Sequence, residues 1–85
     1  MAQVEIYTKM YCGFCDAARD LLQRKNADFE EIPVDGDREK QAAMSARADG
    51  RRTVPQIFIG GQHVGGCDDL YALEQAGKLD GLLRG

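Results

Sequence analysis

Along the chain, apolar positions switch repeatedly between two periods. Val4-Glu5-Ile6-Tyr7-Thr8 alternates in β-prone residues and predicts a first strand. From Gly13 to about Lys25 the period lengthens: Ala18, Leu21, Leu22 and Lys25 share one helical face, with Lys25 placed to snorkel at its edge and Asn26 as the stop. Phe29 to Val34 predicts a second strand, whose Pro33 cannot donate to a ladder and so belongs at an edge or bulge. Gly36-Asp37 marks a turn, with Asp37 as N-cap and Glu39 in the first turn of a short Ala-rich helix that runs to Ala48 and stops at Asp49-Gly50. Gln56 to Ile59 is a third strand, and Gly60-Gly61 suits a tight hairpin into Gln62-His63-Val64. After Gly65-Gly66, residues Asp68 to Ala76 form a last full helix with Leu70 and Leu73 inward, stopped by Gly77, and Leu79 to Leu83 adds a final turn.

The order β-α-β-α-β-β-α predicts an α/β fold. A strand, a crossover helix and a second strand give a parallel pair, and the Gly-Gly hairpin gives an antiparallel pair, so the sheet is four-stranded and mixed. No repeat or linker divides residues 1–85, which predicts a single domain.

Composition narrows the function classes. The chain has 85 residues, 44% of them hydrophobic and none of them Trp, enough for a modest core. A formal net charge of −3 gives no basis for nucleic acid or an anionic membrane as partner, since both demand a basic face. No apolar run approaches the roughly 20 residues of a spanning helix. Met-Ala-Gln-Val-Glu-Ile lacks the regions of a signal peptide, so the expected location is cytoplasmic.

Three cysteines, at 12, 15 and 67, do not make a secreted disulfide framework. In a reducing compartment a close pair is metal-binding or catalytic. Cys12-Gly13-Phe14-Cys15 falls where the first strand hands over to the first helix. A helix N-terminus presents unpaired N–H groups and the positive end of the macrodipole, which favour thiolate over thiol. Cys12, at the cap and nearer solvent, is expected to attack. Cys15, three residues on and more protected, is expected to resolve. Lys9 adds a positive charge upstream. The competing reading is a structural zinc site, with His63 and Cys67 completing a nominal set of three thiolates and one imidazole. An intervening stretch with a full α/β pattern of its own weighs against it, and His63 by itself reads as an exposed hairpin residue.

Two further stretches bear on the pair. In Thr53-Val54-Pro55, the X-Pro bond is the one peptide for which cis is accessible. A cis proline just before a strand would leave the Val54 N–H and C=O free to pair with an extended cysteinyl peptide. Gly65-Gly66-Cys67-Asp68-Asp69 opens a helix whose amides suit a carboxylate, while Asp68 and Asp69 suit an ammonium. Ordinary N-capping is the simpler role for these aspartates, and a small buried hydrophobe the simpler role for Cys67.

In order and spacing, Thr8-Lys9-x-x-Cys12-x-x-Cys15, then Thr53-Val54-Pro55, then Gly65-Gly66-Cys67-Asp68-Asp69-Leu70 resemble the glutaredoxin family, and within it the small bacterial dithiol glutaredoxins. The resemblance covers essentially the whole chain. It implies a thioredoxin-like fold, glutathione as reductant, and glutathionylated or disulfide-containing proteins as partners. It also implies Cys12 as nucleophile and Cys15 as resolving thiol. The family's glutathione contacts fall on Lys9, Phe14, Arg52, Thr53, Val54, Pro55, Gly66, Cys67, Asp68 and Asp69. One departure is the dipeptide: dithiol members usually carry Pro-Tyr between the cysteines, whereas Gly13-Phe14 is the pair of the monothiol class that binds iron–sulfur clusters. That class ends the motif in Ser and has a longer spacing, so the dithiol assignment stands. A monomer is expected when cluster-free, with a glutathione-ligated [2Fe–2S] cluster in a dimer as the alternative.

Overall fold

The hairpin and the helix caps form as their residues dictate. Gly60 and Gly61 take φ of 60° and 80°, the pair of positive values that a two-residue turn matching strand twist requires. Asp37 caps its helix, accepting the Lys40 N–H at 3.0 Å. In this computed structural model, which describes residues 2–85, the elements are β1 (Val4–Thr8), α1 (Gly13–Arg24), β2 (Phe29–Pro33), α2 (Arg38–Arg47), β3 (Gln56–Ile59), β4 (Gln62–Gly65), α3 (Cys67–Gln75) and α4 (Leu79–Arg84). Each lies within a residue or two of its expected bounds.

The strands form one sheet in the order β2-β1-β3-β4. β1 and β2 run parallel with Val4 opposite Phe29, and β3 and β4 are the antiparallel hairpin. β1 also pairs antiparallel with β3, Val4 opposite Ile59, which places the N-terminal strand at the centre. Pro33 lies on the outer strand β2, as its missing donor requires, and the next residue, Val34, donates to Thr8 O at 2.9 Å.

Because side chains alternate across a sheet, each strand feeds two cores. Val4, Ile6, Ile57 and Ile59 pack with Ala18, Leu21 and Leu22 of α1, Leu70 of α3, and Leu79 and Leu83 of α4. Tyr7, Phe58 and Val34 meet Met44 of α2 and Ala48 on the other face. Arg47 supplements that thinner layer: its guanidinium bonds both Glu5 oxygens at 3.0 and 3.1 Å and Tyr7 Oη at 2.9 Å, and lies 4.0 Å from the Phe58 ring centroid. Lys25 does snorkel, its Nζ reaching Glu74 at 2.7 Å and Asp80 at 3.1 Å, so the end of α1 is tied to α3 and α4. Among the described residues, no helix is long and apolar enough to cross a membrane.

Candidate active site

The strand-to-helix junction sets up the first wall of the site. The Met10 N–H donates to Asp35 Oδ2 at 2.9 Å, and Tyr11 turns the chain with φ of 56°, a left-handed value unusual for a bulky residue. Cys12 follows in extended geometry (φ −113°, ψ 105°) as the N-cap of α1. Its Sγ takes the place of the usual capping oxygen and accepts the Cys15 N–H at 3.2 Å. Cys12 is half-buried, and Tyr11 and Phe14 beside it are exposed. Cys15 is 0% exposed. Burial, chiefly, and then the Cys12 sulfur beside it push its thiol from 9.0 to about 12, against a backbone hydrogen bond from Lys9 that acts the other way.

The opposite wall comes from the segment before β3 and from the start of α3. The Val54–Pro55 bond is cis, and Val54 O lies 3.9 Å from Cys12 Sγ. A cavity of about 250 Å³ opens between Phe14, the Thr53–Pro55 segment and the Gly66–Asp69 turn, with Arg51 at its rim. Gly65 has φ of 120°, and a side chain there would run into the Asp69 carboxylate. That carboxylate accepts the Gly66 N–H at 2.9 Å and meets Arg51 at 3.2 Å. The Gly66 N–H, and after it Arg51, hold the Asp69 carboxyl below its ordinary 3.8, against the burial that acts the other way. Asp68, by contrast, is exposed. Cys67 is buried with the core under α3, and burial, followed by the neighbouring Asp68, raises its thiol.

Of the ten residues expected to surround a ligand, eight line this one cavity: Phe14, Thr53, Val54, Pro55, Gly66, Cys67, Asp68 and Asp69. Lys9 and Arg52 lie apart from them, in a second and larger cavity of about 740 Å³ shared with Arg38, Gln41 and the α2 face. Arg51, which the sequence reading passed over, takes the rim position. Nothing in Arg51-Arg52 distinguishes the two until Asp69 is seen beside one of them. His63 is a correction. It is half-buried rather than exposed, with Nε2 2.7 Å from Gln56 Oε1 and its ring against Phe58, so it is committed to the α2 side of the sheet. Among the described residues, no three His, Cys, Asp or Glu side chains gather in metal-binding geometry.

A glutaredoxin family model matches residues 4–64. Glutaredoxin 3 of Escherichia coli strain K12 is 56% identical over 84 residues, covering 99% of this chain and all of that protein. The solution structure of a glutaredoxin from Brucella melitensis is 57% identical, with a TM-score of 0.86 over 98% of this chain and 89% of that one. The crystal structure of a buckwheat glutaredoxin–glutathione complex, 34% identical, superposes with a TM-score of 0.87 over 98% of this chain and 77% of that one. Sequence, fold and the strand–Cys-x-x-Cys–helix junction agree, and the chain belongs to the glutaredoxin family, thiol–disulfide oxidoreductases on the thioredoxin-like fold.

Proposed function

We propose that this chain, acting as a single domain, is a glutathione-dependent oxidoreductase that reduces glutathione mixed disulfides and protein disulfides through Cys12 and Cys15. The observation that carries the reading is the asymmetry of the pair. Cys12 is half-buried, its Sγ 3.9 Å from the carbonyl of Val54, which lines the cavity, while Cys15 is fully buried with its thiol pushed up to about 12. Only Cys12 meets an incoming disulfide. The complex formed by the buckwheat relative supports glutathione as the ligand.

Cys12 thiolate attacks the glutathione sulfur of a mixed disulfide, breaking the S–S bond. The substrate leaves as its thiolate, takes a proton, and Cys12 is left glutathionylated. A second glutathione thiolate attacks the glutathione sulfur held on Cys12, forming glutathione disulfide and restoring Cys12. With a protein disulfide, Cys12 first forms a mixed disulfide with the substrate. Cys15 then loses its proton, attacks the Cys12 sulfur and releases the second substrate thiol. Two glutathiones reduce the Cys12–Cys15 bridge.

Glutathione would lie across the cavity with its cysteinyl backbone paired to Val54 as an added strand. Its γ-glutamyl carboxylate would meet the amides at the start of α3, and its ammonium would meet Asp68. Asp69 contributes indirectly, because its carboxylate is already engaged by the Gly66 N–H and Arg51. Lys9 and Arg52, which line the other cavity, would suit the glycyl carboxylate at the far end of the tripeptide. A [2Fe–2S] cluster held by thiolates takes four of them, and this chain offers one half-buried thiol beside two buried ones, so such a cluster would require a second copy and two glutathiones.

The test is the glutathione-dependent reduction of a small mixed disulfide, followed through NADPH consumed by glutathione reductase. Cys12→Ser should abolish it and Cys15→Ser should retain it. Equal loss in both variants would overturn the assignment.

A further inference from the structure

Behind the Thr53–Val54 segment lies a polar side chain that the mechanism above does not use. Gln56 opens β3 and is 0% exposed, and a buried amide demands partners for its polar atoms. Its Nε2 donates to Thr53 O at 3.0 Å and lies 3.3 Å from Thr53 Oγ1, while its Oε1 lies 2.7 Å from His63 Nε2. A carbonyl oxygen only accepts, so the end facing Thr53 O must be the amide nitrogen. That leaves the amide oxygen for His63, and the ring nitrogen opposite it must carry a proton. The neutral imidazole is therefore fixed with its hydrogen on Nε2, its ring 5.0 Å from that of Phe58 between centroids.

One residue earlier, Gln41 Nε2 donates to Arg52 O at 3.1 Å. Two side-chain amides thus hold two successive carbonyls, those of Arg52 and Thr53, and the next carbonyl, of Val54, faces Cys12 Sγ. Residues 51–55 belong to no strand or helix, so regular backbone pairing does not set the direction of these peptides. The side chains beneath them do.

We propose that Gln56, oriented by His63, is a positioning residue that holds the Thr53 carbonyl inward and so presents the Val54 peptide to the substrate. The inference rests on the reading above that Val54 pairs with the cysteinyl backbone of a glutathionyl group. A peptide unit free to rotate would have to be ordered on binding, and fixing it beforehand lowers that cost.

The experiment compares His63→Phe with His63→Gln, using a glutathionylated peptide as substrate at saturating glutathione. Phenylalanine keeps a ring against Phe58 but has no N–H to donate, while glutamine restores a donor. Losing the donor leaves a buried oxygen unpaired, and the expected result is a KM raised about tenfold, equivalent to ~1.4 kcal/mol, with kcat within about twofold of wild type. His63→Gln should recover most of the loss. Gln56→Leu should show the same split, and if it does not fold the His63 pair carries the test alone. The nitrogen shifts of His63 in the wild-type protein should report a proton on Nε2 in the neutral ring. A proton on Nδ1, an unchanged KM in His63→Phe, or equal losses in KM and kcat that His63→Gln does not rescue would each overturn the inference. A wild-type protein without activity on the glutathionylated peptide would instead overturn the proposed function.

Discussion

In the dithiol route proposed above Cys15 acts as the resolving thiol, and burial holds it protonated. With its thiol at about 12, roughly one molecule in 10⁵ carries the thiolate at pH 7, against about one in 100 for an ordinary value of 9.0. The largest cause is burial, and the next is the hydrogen bond with Cys12. Once Cys12 is bound in a mixed disulfide, that bond and the Cys12 charge disappear while burial remains. Cys15 should then titrate lower than in the free protein, with burial still holding it up, which eases its deprotonation at the step that needs it. The perturbation is pH, applied to a mixed disulfide of Cys12 with thionitrobenzoate formed in acid and then jumped upward without glutathione. Release of the coloured thiol reports attack by Cys15. Because only the thiolate attacks, the rate should climb close to tenfold per pH unit from about pH 6 to about pH 8, without a plateau. Cys15→Ser should release nothing on this timescale. A plateau below about pH 8 would mean that Cys15 is already ionised there, and would refute the argument from burial.

Gly13→Pro should be tolerated and should stabilise the protein by roughly 0.4–1 kcal/mol in thermal or urea unfolding, because N1 suits proline, Cys12 already has extended geometry, and a Cβ at Gly13 meets nothing within 4 Å. Asp69→Asn should weaken the start of α3 by about 1 kcal/mol at neutral pH. Since the folded-state carboxyl sits below its ordinary 3.8, wild type holds this stability above that pH and loses it as pH falls, so the gap between the two proteins in urea titrations should close in acid. Gly65→Ala, at φ of 120° and against the Asp69 carboxylate, should cost more than about 1 kcal/mol on the same scale.

Nearly all the elements were legible in the sequence, because each rests on local signals: alternation in β1, the 3.6 period of α1, the Asp37 cap, and the paired glycines of the hairpin. Strand order was not. The antiparallel pairing of Val4 with Ile59 joins residues far apart in the chain, and no turn between them announces it. The site divided along the same line. The two cysteines and the Thr53-Val54-Pro55 segment declare themselves by spacing, but which arginine meets Asp69 depends on where a loop passes a helix start. Gln56 and His63 were misjudged or missed for a related reason. A polar residue in a strand reads as solvent-facing, whereas Gln56 is buried on the interior strand β3 with its amide satisfied by Thr53 and His63.

The outer strand β2 bears on how the protein behaves in concentrated solution. Its free edge carries Pro33, where a neighbouring strand would find no amide hydrogen, and the exposed carboxylates Glu30 and Glu31 lie on the same strand. A second sheet approaching this edge meets repulsion between like charges and a gap in the hydrogen-bond ladder. At the opposite edge, β4 offers four residues, Gln62–Gly65, ending in a glycine whose φ of 120° turns the chain out of strand geometry. Both borders of the sheet are therefore poor templates for growth, and the fold resists edge-to-edge aggregation.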